Sequence, residues 1–177
     1  MYIGIDLGGT NVAAALVDKD GAIIRRVSIP TDARGGANAI IGELTGVCST
    51  LLEGGEPALS IGIGIPGSVN EETGDVIFTP NLPLSGVNIT NGLREKFGLP
   101  IFAGNDANCA ALGEVVAGGA KGARNAVLIT LGTGLGGGII LDGRLHTGVN
   151  GAAGELGHIV IVSGGRECGC GRNGQNC

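Results

Sequence analysis

Two segments of this chain read the same way: an apolar strand, a glycine turn, then a second apolar strand. The first covers residues 4–18 (GIDLGGTNVAAALVD) and the second residues 128–142 (LITLGTGLGGGIILD). At an offset of 124 positions they share Ile5/Ile129, Leu7/Leu131, Gly8/Gly132 and Asp18/Asp142. A duplicated unit of this kind can set two glycine turns face to face across a cleft. Neither turn carries the Gly-Lys-Ser/Thr of a Walker A loop. Neither leads into a helix, as a Rossmann fingerprint must. What glycine does allow is a close backbone approach, with N–H groups converging on an anion.

The same reading extends along the chain. Residues 2–7, 12–18 and 21–29 form three successive strands joined by tight turns, an antiparallel meander. Residues 37–53 place Ile40, Ile41, Leu44, Val47, Leu51 and Leu52 at helical spacing. A buried strand is expected over 58–65, stopped by Pro66-Gly67. A short helix follows over 89–97, a strand over 100–104, a helix over 107–117, and strands over 125–131 and 135–141. This is an α/β pattern, with its domain boundary expected between Gly104 and Asn105. Glycine makes up 37 of the 177 residues, about three times the ordinary ~7%. With no collagen period, those glycines imply many tight turns and close contacts.

Composition excludes several functions. The net charge is −5, so no basic face is on offer to nucleic acid or an anionic membrane. With one Tyr, three Phe and no Trp, base stacking has no platform. No apolar run approaches the ~20 residues of a membrane helix, and the opening residues lack the basic region of a signal peptide. A cytoplasmic protein is expected.

Several positions carry chemistry. In Asp6-Leu7-Gly8-Gly9-Thr10 the glycines could cradle a phosphate, Thr10 adds a hydroxyl, and Asp6 could meet a magnesium ion or its waters. The same residues equally describe a tight hairpin that bonds only its own turn. Gly132-Thr133-Gly134 has the same two readings. Asn105-Asp106 stands between a strand and a helix. Both residues suit a helix N-terminus, where the dipole keeps a carboxylate ionised and able to accept a proton. Pro80-Asn81-Leu82-Pro83 is a rigid turn with an amide, an Asx turn or a ligand contact, and Pro66-Gly67 could let backbone approach a ligand. Glu155 and His158 are three apart, a surface ion pair or a functional one. His158, Cys168, Cys170 and Cys177 supply one imidazole and three thiols, a set suited to structural zinc. Cys48 and Cys109, alone in helical patterns, read as small buried hydrophobes.

Taken in order, IGIDLGGT, GIGIPGSV, TPNL, GNDAN, TLGTGLGGGII, GAAGELGH and CGCG resemble the ROK family of repressors and sugar kinases, within the actin-like ATPase superfamily, over essentially the whole chain. The bacterial glucokinase branch is the nearest in pattern. The resemblance implies an actin-like (ribonuclease H-like) α/β fold, with an N-terminal domain over 1–104 and the first part of a second over 105–177. It implies ATP-dependent phosphorylation of a hexose hydroxyl, glucose foremost, with Mg2+ beside ATP and a structural Zn2+. N-acetylated hexosamines and fructose are rival substrates. A non-catalytic sugar-binding fragment and a repressor-derived domain also agree with the motifs, though a DNA-reading segment would have to precede Tyr2. Asp6, Gly8, Gly9, Thr10 and Asn11 match the first phosphate loop, and Thr133 and Gly134 the second. Asp106 matches the catalytic base. Gly67, Asn81, Asn105, Asp106, Glu155 and His158 match sugar contacts, and His158, Cys168, Cys170 and Cys177 the zinc ligands. Gln175 stands where the family motif C-x-C-G-x-x-G-C has its third cysteine, which leaves Cys177 as the expected fourth ligand. The resemblance also implies a homodimer at full length, with no nucleic-acid or membrane partner, and further sequence after residue 177.

Overall fold

The computed structural model describes residues 1–132, 134–168 and 170–175. The chain divides into two compact units, Met1–Asp106 and Ala107–Cys177.

The first unit is built on a five-stranded sheet of order β3-β2-β1-β4-β7. β1 (Tyr2–Leu7), β2 (Asn11–Val17) and β3 (Ile23–Pro30) form the antiparallel meander. β4 (Ile61–Ile65) runs parallel to β1, and β7 (Ile101–Asn105) parallel to β4. The strand expected over 58–65 thus begins three residues later, at Ile61. Strand alternation sends Ile3, Ile5 and Leu7 to one face, where they are buried with Val12, Leu16, Ile61, Ile63 and Ile65. α1 (Gly36–Leu52) covers that face with Ile40, Leu44, Val47, Cys48 and Leu51, a stripe at helical spacing. α2 (Asn91–Phe97) adds Leu93 and ends at Gly98, whose φ of +63° provides a left-handed C-cap. Between β4 and α2 lies a small antiparallel pair, β5 (Ser68–Val69) with β6 (Val76–Phe78). Neither of these short strands is long enough to show a period in sequence.

The second unit is a three-stranded antiparallel sheet of order β10-β9-β8. β8 (Ala126–Leu131), β9 (Leu135–Leu141) and β10 (Arg144–Leu145) make it up. α3 (Asp106–Val116) begins at the division and buries Ala107 and Ala111. The glycines of β9 explain the close fit. A Cβ on Gly138 would lie 2.5 Å from Ala111 Cβ, and one on Gly136 would lie 3.2 Å from Ala107 Cβ. The opposite pleat position, Gly137, would strike Leu156 and the Gly154 carbonyl at 2.8 Å. These three glycines are packing residues with layers on both sides, not part of a phosphate turn. Cys48 is buried as expected, but Cys109 is exposed: the buried face of α3 belongs to Ala107, Asn108 and Ala111.

Candidate functional site

β1, β4 and β7 are parallel, so their carboxyl ends open on one edge of the first unit's sheet. In open α/β sheets that edge is where ligands bind. Each strand there runs directly into a predicted site segment: β1 into residues 8–10, β4 into Pro66-Gly67, and β7 into Asp106.

The loop after β1 is a hairpin closed by Gly8 N–H donating to Asn11 O at 2.9 Å. It is tied to the end of β3. Thr31 N–H donates to Thr10 O at 2.8 Å, and Thr31 Oγ1 donates to Gly8 O at 2.8 Å. Gly9, Thr10 and Asn11 are exposed, as is Asp6 at the end of β1. Asn81 stands beside this loop, 3.5 Å from where a Gly9 Cβ would be. The turn that presents Asn81 is braced by Thr79, which is buried. Thr79 Oγ1 donates to Leu82 O at 2.7 Å and accepts from Leu82 N–H at 3.1 Å, while Thr79 N–H donates to Ser85 Oγ at 3.2 Å. Thr79 is not among the site residues expected from sequence. Its signal was present as the Thr in TPNL, a hydroxyl one position before a rigid turn.

Gly67 adopts φ +116°, and a Cβ there would collide with the Phe78 carbonyl oxygen. Only glycine suits both demands. Its carbonyl accepts a 3.0 Å bond from Asn105 Nδ2, which fixes the end of β7 to the end of β4. Asp106, next in sequence, opens the eleven-residue α3 and is half-buried. A carboxylate in a helix's first turn is favoured in its ionised form. The first unit therefore brings Gly8, Gly9, Thr10, Asn11, Asn81, Gly67, Asn105 and Asp106 to one edge.

The second unit repeats the hairpin motif. Residues 132–134 join β8 to β9, with Gly132 N–H donating to Gly134 O at 2.9 Å. Thr133 lies outside the described residues. Glu155 and His158 flank a 3-10 turn, Leu156–His158. Gly154 and Gly157 hold this segment against the β9 backbone: a Cβ on Gly157 would overlap Leu135 O. His158 Nε2 lies 3.6 Å from Glu155 Oε2, so the expected pair does meet, with both side chains partly exposed.

The zinc expectation finds no support among the described residues. Among the described residues no group of three or more His, Cys, Asp or Glu side chains converges as a metal site. The side chain that His158 and Cys170 meet is Gln175. Its buried Oε1 lies 3.4 Å from His158 Nδ1 and accepts from Cys170 Sγ at 3.1 Å. A neutral carboxamide thus stands where the expected motif needs a thiolate, and His158, Cys168 and Cys170 do not by themselves fit zinc. Cys177, the fourth expected ligand, lies outside the described residues. Magnesium makes a smaller demand, one or two carboxylates plus substrate phosphates, and Asp6 is exposed as that role requires.

The sequence model of the ROK family matches residues 2–177. The chain belongs to the ROK family. The glucokinase of Streptomyces coelicolor is 42% identical over 177 residues, covering 98% of this chain and 54% of that protein. A crystal structure of a ROK family glucokinase from Streptomyces griseus, in complex with glucose and AMPPNP, superposes with a TM-score of 0.87. It is 38% identical, and the match covers 98% of this chain and 55% of that one. The xylose repressor of Bacillus spizizenii is 31% identical over 175 residues, covering 97% of this chain and 45% of that protein. The chain thus spans about half the length of the curated relatives it matches. Its α/β architecture is that of the ROK sugar kinases, the actin-like ATPase fold. No described helix is long and apolar enough to cross a membrane.

Proposed function

We propose that this chain carries the acceptor-sugar and phosphate-loop residues of a ROK sugar kinase, with glucose as the foremost substrate. The observation that carries this is the shared edge of the first unit. Two backbone loops, the amides of Asn11, Asn81 and Asn105, and the carboxylates of Asp6 and Asp106 stand at the carboxyl ends of three parallel strands. Its likeness to a glucokinase crystallised with glucose and a nucleotide supports the same reading.

In the proposed reaction Asp106 accepts the proton of a sugar hydroxyl, carbon 6 in glucose. The oxygen forms a bond to the γ-phosphorus of ATP as the bond to ADP breaks. The proton remains on Asp106 until solvent removes it. Asn81 and Asn105 orient the sugar hydroxyls, and Gly67 holds the Asn105 amide. Gly8, Gly9, Thr10 and Asn11 offer backbone and side-chain donors to phosphate. Bound Mg2+, held through Asp6, would offset phosphate charge. Catalysis of this type rests on positioning and electrostatics. Gly134 and Thr133 are proposed as further phosphate contacts, and Glu155 and His158 as further hydroxyl contacts. Homodimerisation and a cytoplasmic setting belong to the same proposal.

The test is ATP turnover with glucose, in the chain and in its Asp106→Asn variant. Loss of the base should lower turnover by roughly 10²–10⁴-fold, while glucose still raises the melting temperature. Near-normal turnover in the variant would remove Asp106 from the role. Similarity to a xylose repressor favours a second reading, a sugar-sensing domain without chemistry. A glucose-dependent thermal shift with no ADP formed from ATP would decide for it.

A further inference from the structure

The second unit carries a cationic pocket at the end of its sheet remote from the 132–134 turn. β9 runs from that turn to Leu141, so about 20 Å of strand separates the two. β9 and β10 are joined through Asp142-Gly143, with φ of +51° and +77°, the geometry of a tight two-residue hairpin. Residues 124–125 clamp this turn from the side. Gly143 N–H donates to Arg124 O at 2.7 Å, and Asp142 N–H donates to Asn125 Oδ1 at 3.0 Å. Beyond β10, His146 N–H donates to Ile139 O at 2.8 Å, so the pairing with β9 continues. Alternation along that segment puts Arg144 and His146, both exposed, on one side and the half-buried Leu145 on the other. Arg124 reaches the same place. Arg124, Arg144 and His146 line one pocket of about 660 Å³, walled in part by Leu141 and Leu145.

The charge of this pocket runs against that of the chain. The protein has 16 Asp and Glu against 11 Lys and Arg. Here two guanidiniums and an imidazole meet a single lining carboxylate, Asp142. That carboxylate holds them weakly. Arg124 Nη2 lies 3.5 Å from Asp142 Oδ1, and the two side chains are 75% and 83% exposed. A long pair in water is worth little, so Arg124 is available to a ligand. Among the described residues, neither Arg144 nor His146 lies in an ion pair. We infer that this pocket binds a phosphate dianion, free or as the head of a small monoester, between Arg124, Arg144 and His146. Guanidinium forks match pairs of phosphate oxygens, and the imidazole adds an N–H donor. The cavity has room for an ester's body beside the head. The inference rests on the β9–β10 hairpin alone, not on the kinase reading or its phosphate loops.

The chain has two histidines, so imidazole NMR signals report on the site, and His146→Gln assigns them. The protein is titrated with inorganic phosphate and, separately, with glucose 6-phosphate, at neutral pH and fixed ionic strength. The His146 signals should shift and saturate, and whichever ligand binds more tightly names the source of the phosphate. Arg144→Gln should weaken binding by about five-fold or more, at an unchanged melting temperature because the side chain is exposed. Asp142→Asn should tighten it by about two-fold, since it removes the opposing charge and Asn suits the positive φ. Thr10→Val, in the first phosphate loop, should leave the His146 response as it is. No saturable shift with either ligand would overturn the inference. So would an equal shift with chloride, which would make the response one of bulk salt. Binding unchanged in Arg144→Gln, binding not tightened in Asp142→Asn, or a His146 response lost in Thr10→Val would each overturn it as well. None of these outcomes bears on Asp106, whose turnover test stands separately.

Discussion

Thr79 shows how a single buried hydroxyl sets a site that it does not itself line. It both donates to and accepts from Leu82, so the turn carrying Asn81 is fixed from beneath. Thr79→Val keeps the shape and removes both bonds, leaving Leu82 N–H and O without that partner. The expected cost is about 1–3 kcal/mol, read as a lower urea midpoint at unchanged slope. On the proposed function, the glucose-induced thermal shift should shrink with it. Asp18 offers a pH test at the same scale. Its carboxylate accepts from Ala22 N–H and Asp20 N–H, both at 2.9 Å, and the Ala22 bond above all holds it below the usual carboxylate range. A depressed folded-state pKa contributes stability that is present above the unfolded value and lost as pH falls through the folded one. Stability should therefore drop below about pH 4, and Asp18→Asn should flatten that drop. An unchanged acid limb in the variant would show that the β2–β3 turn plays no part in it.

At the scale of elements, glycine means different things in different places. In α1, Gly46 has an ordinary φ and a Cβ would meet nothing within 4 Å. Gly46→Ala should stabilise by about 1 kcal/mol, the helix-propensity difference. In β9, Gly138 faces Ala111 at a distance no real Cβ tolerates. Gly138→Ala should destabilise by about 1–3 kcal/mol through overpacking. Thermal melts of the two variants should move in opposite directions. Shifts of the same sign would mean that the α3–β9 fit is looser than these distances describe.

For the whole molecule, the two units are unequal. The first has a contiguous core of large aliphatics. Among the described residues, the buried hydrophobics of the second are Ala107, Ala111 and Ile140. The alternation of β8 leaves Val127, Ile129 and Leu131 exposed, Leu131 at 83%, and residues 159–162 add four more exposed aliphatics. A surface of that kind binds apolar dyes and promotes association. The chain should enhance ANS fluorescence and scatter light increasingly with concentration. Ile129→Thr, which keeps β-propensity, should lower both without lowering the melting temperature. A large loss of stability instead would mean that Ile129 is already packed.

The sequence by itself determined the order and type of the main elements. Their periods are set by local chemistry, 2 for strands and 3.6 for α1, and by Gly and Pro at their ends. It also determined the family, because short motifs in a fixed order are local signals. Only the tertiary structure decided what the glycines do. Gly8, Gly67, Gly138 and Gly4 look alike in sequence. One closes a hairpin, one fits a strained approach to Phe78, one admits a helix, and one faces open space. Those differences depend on neighbours distant along the chain. The same reason hid Thr79, and it hid the meeting of Gln175 with His158 and Cys170 within a cysteine pattern that reads as zinc. Spacing can name candidate ligands, but which side chain fills the space between them is settled by packing.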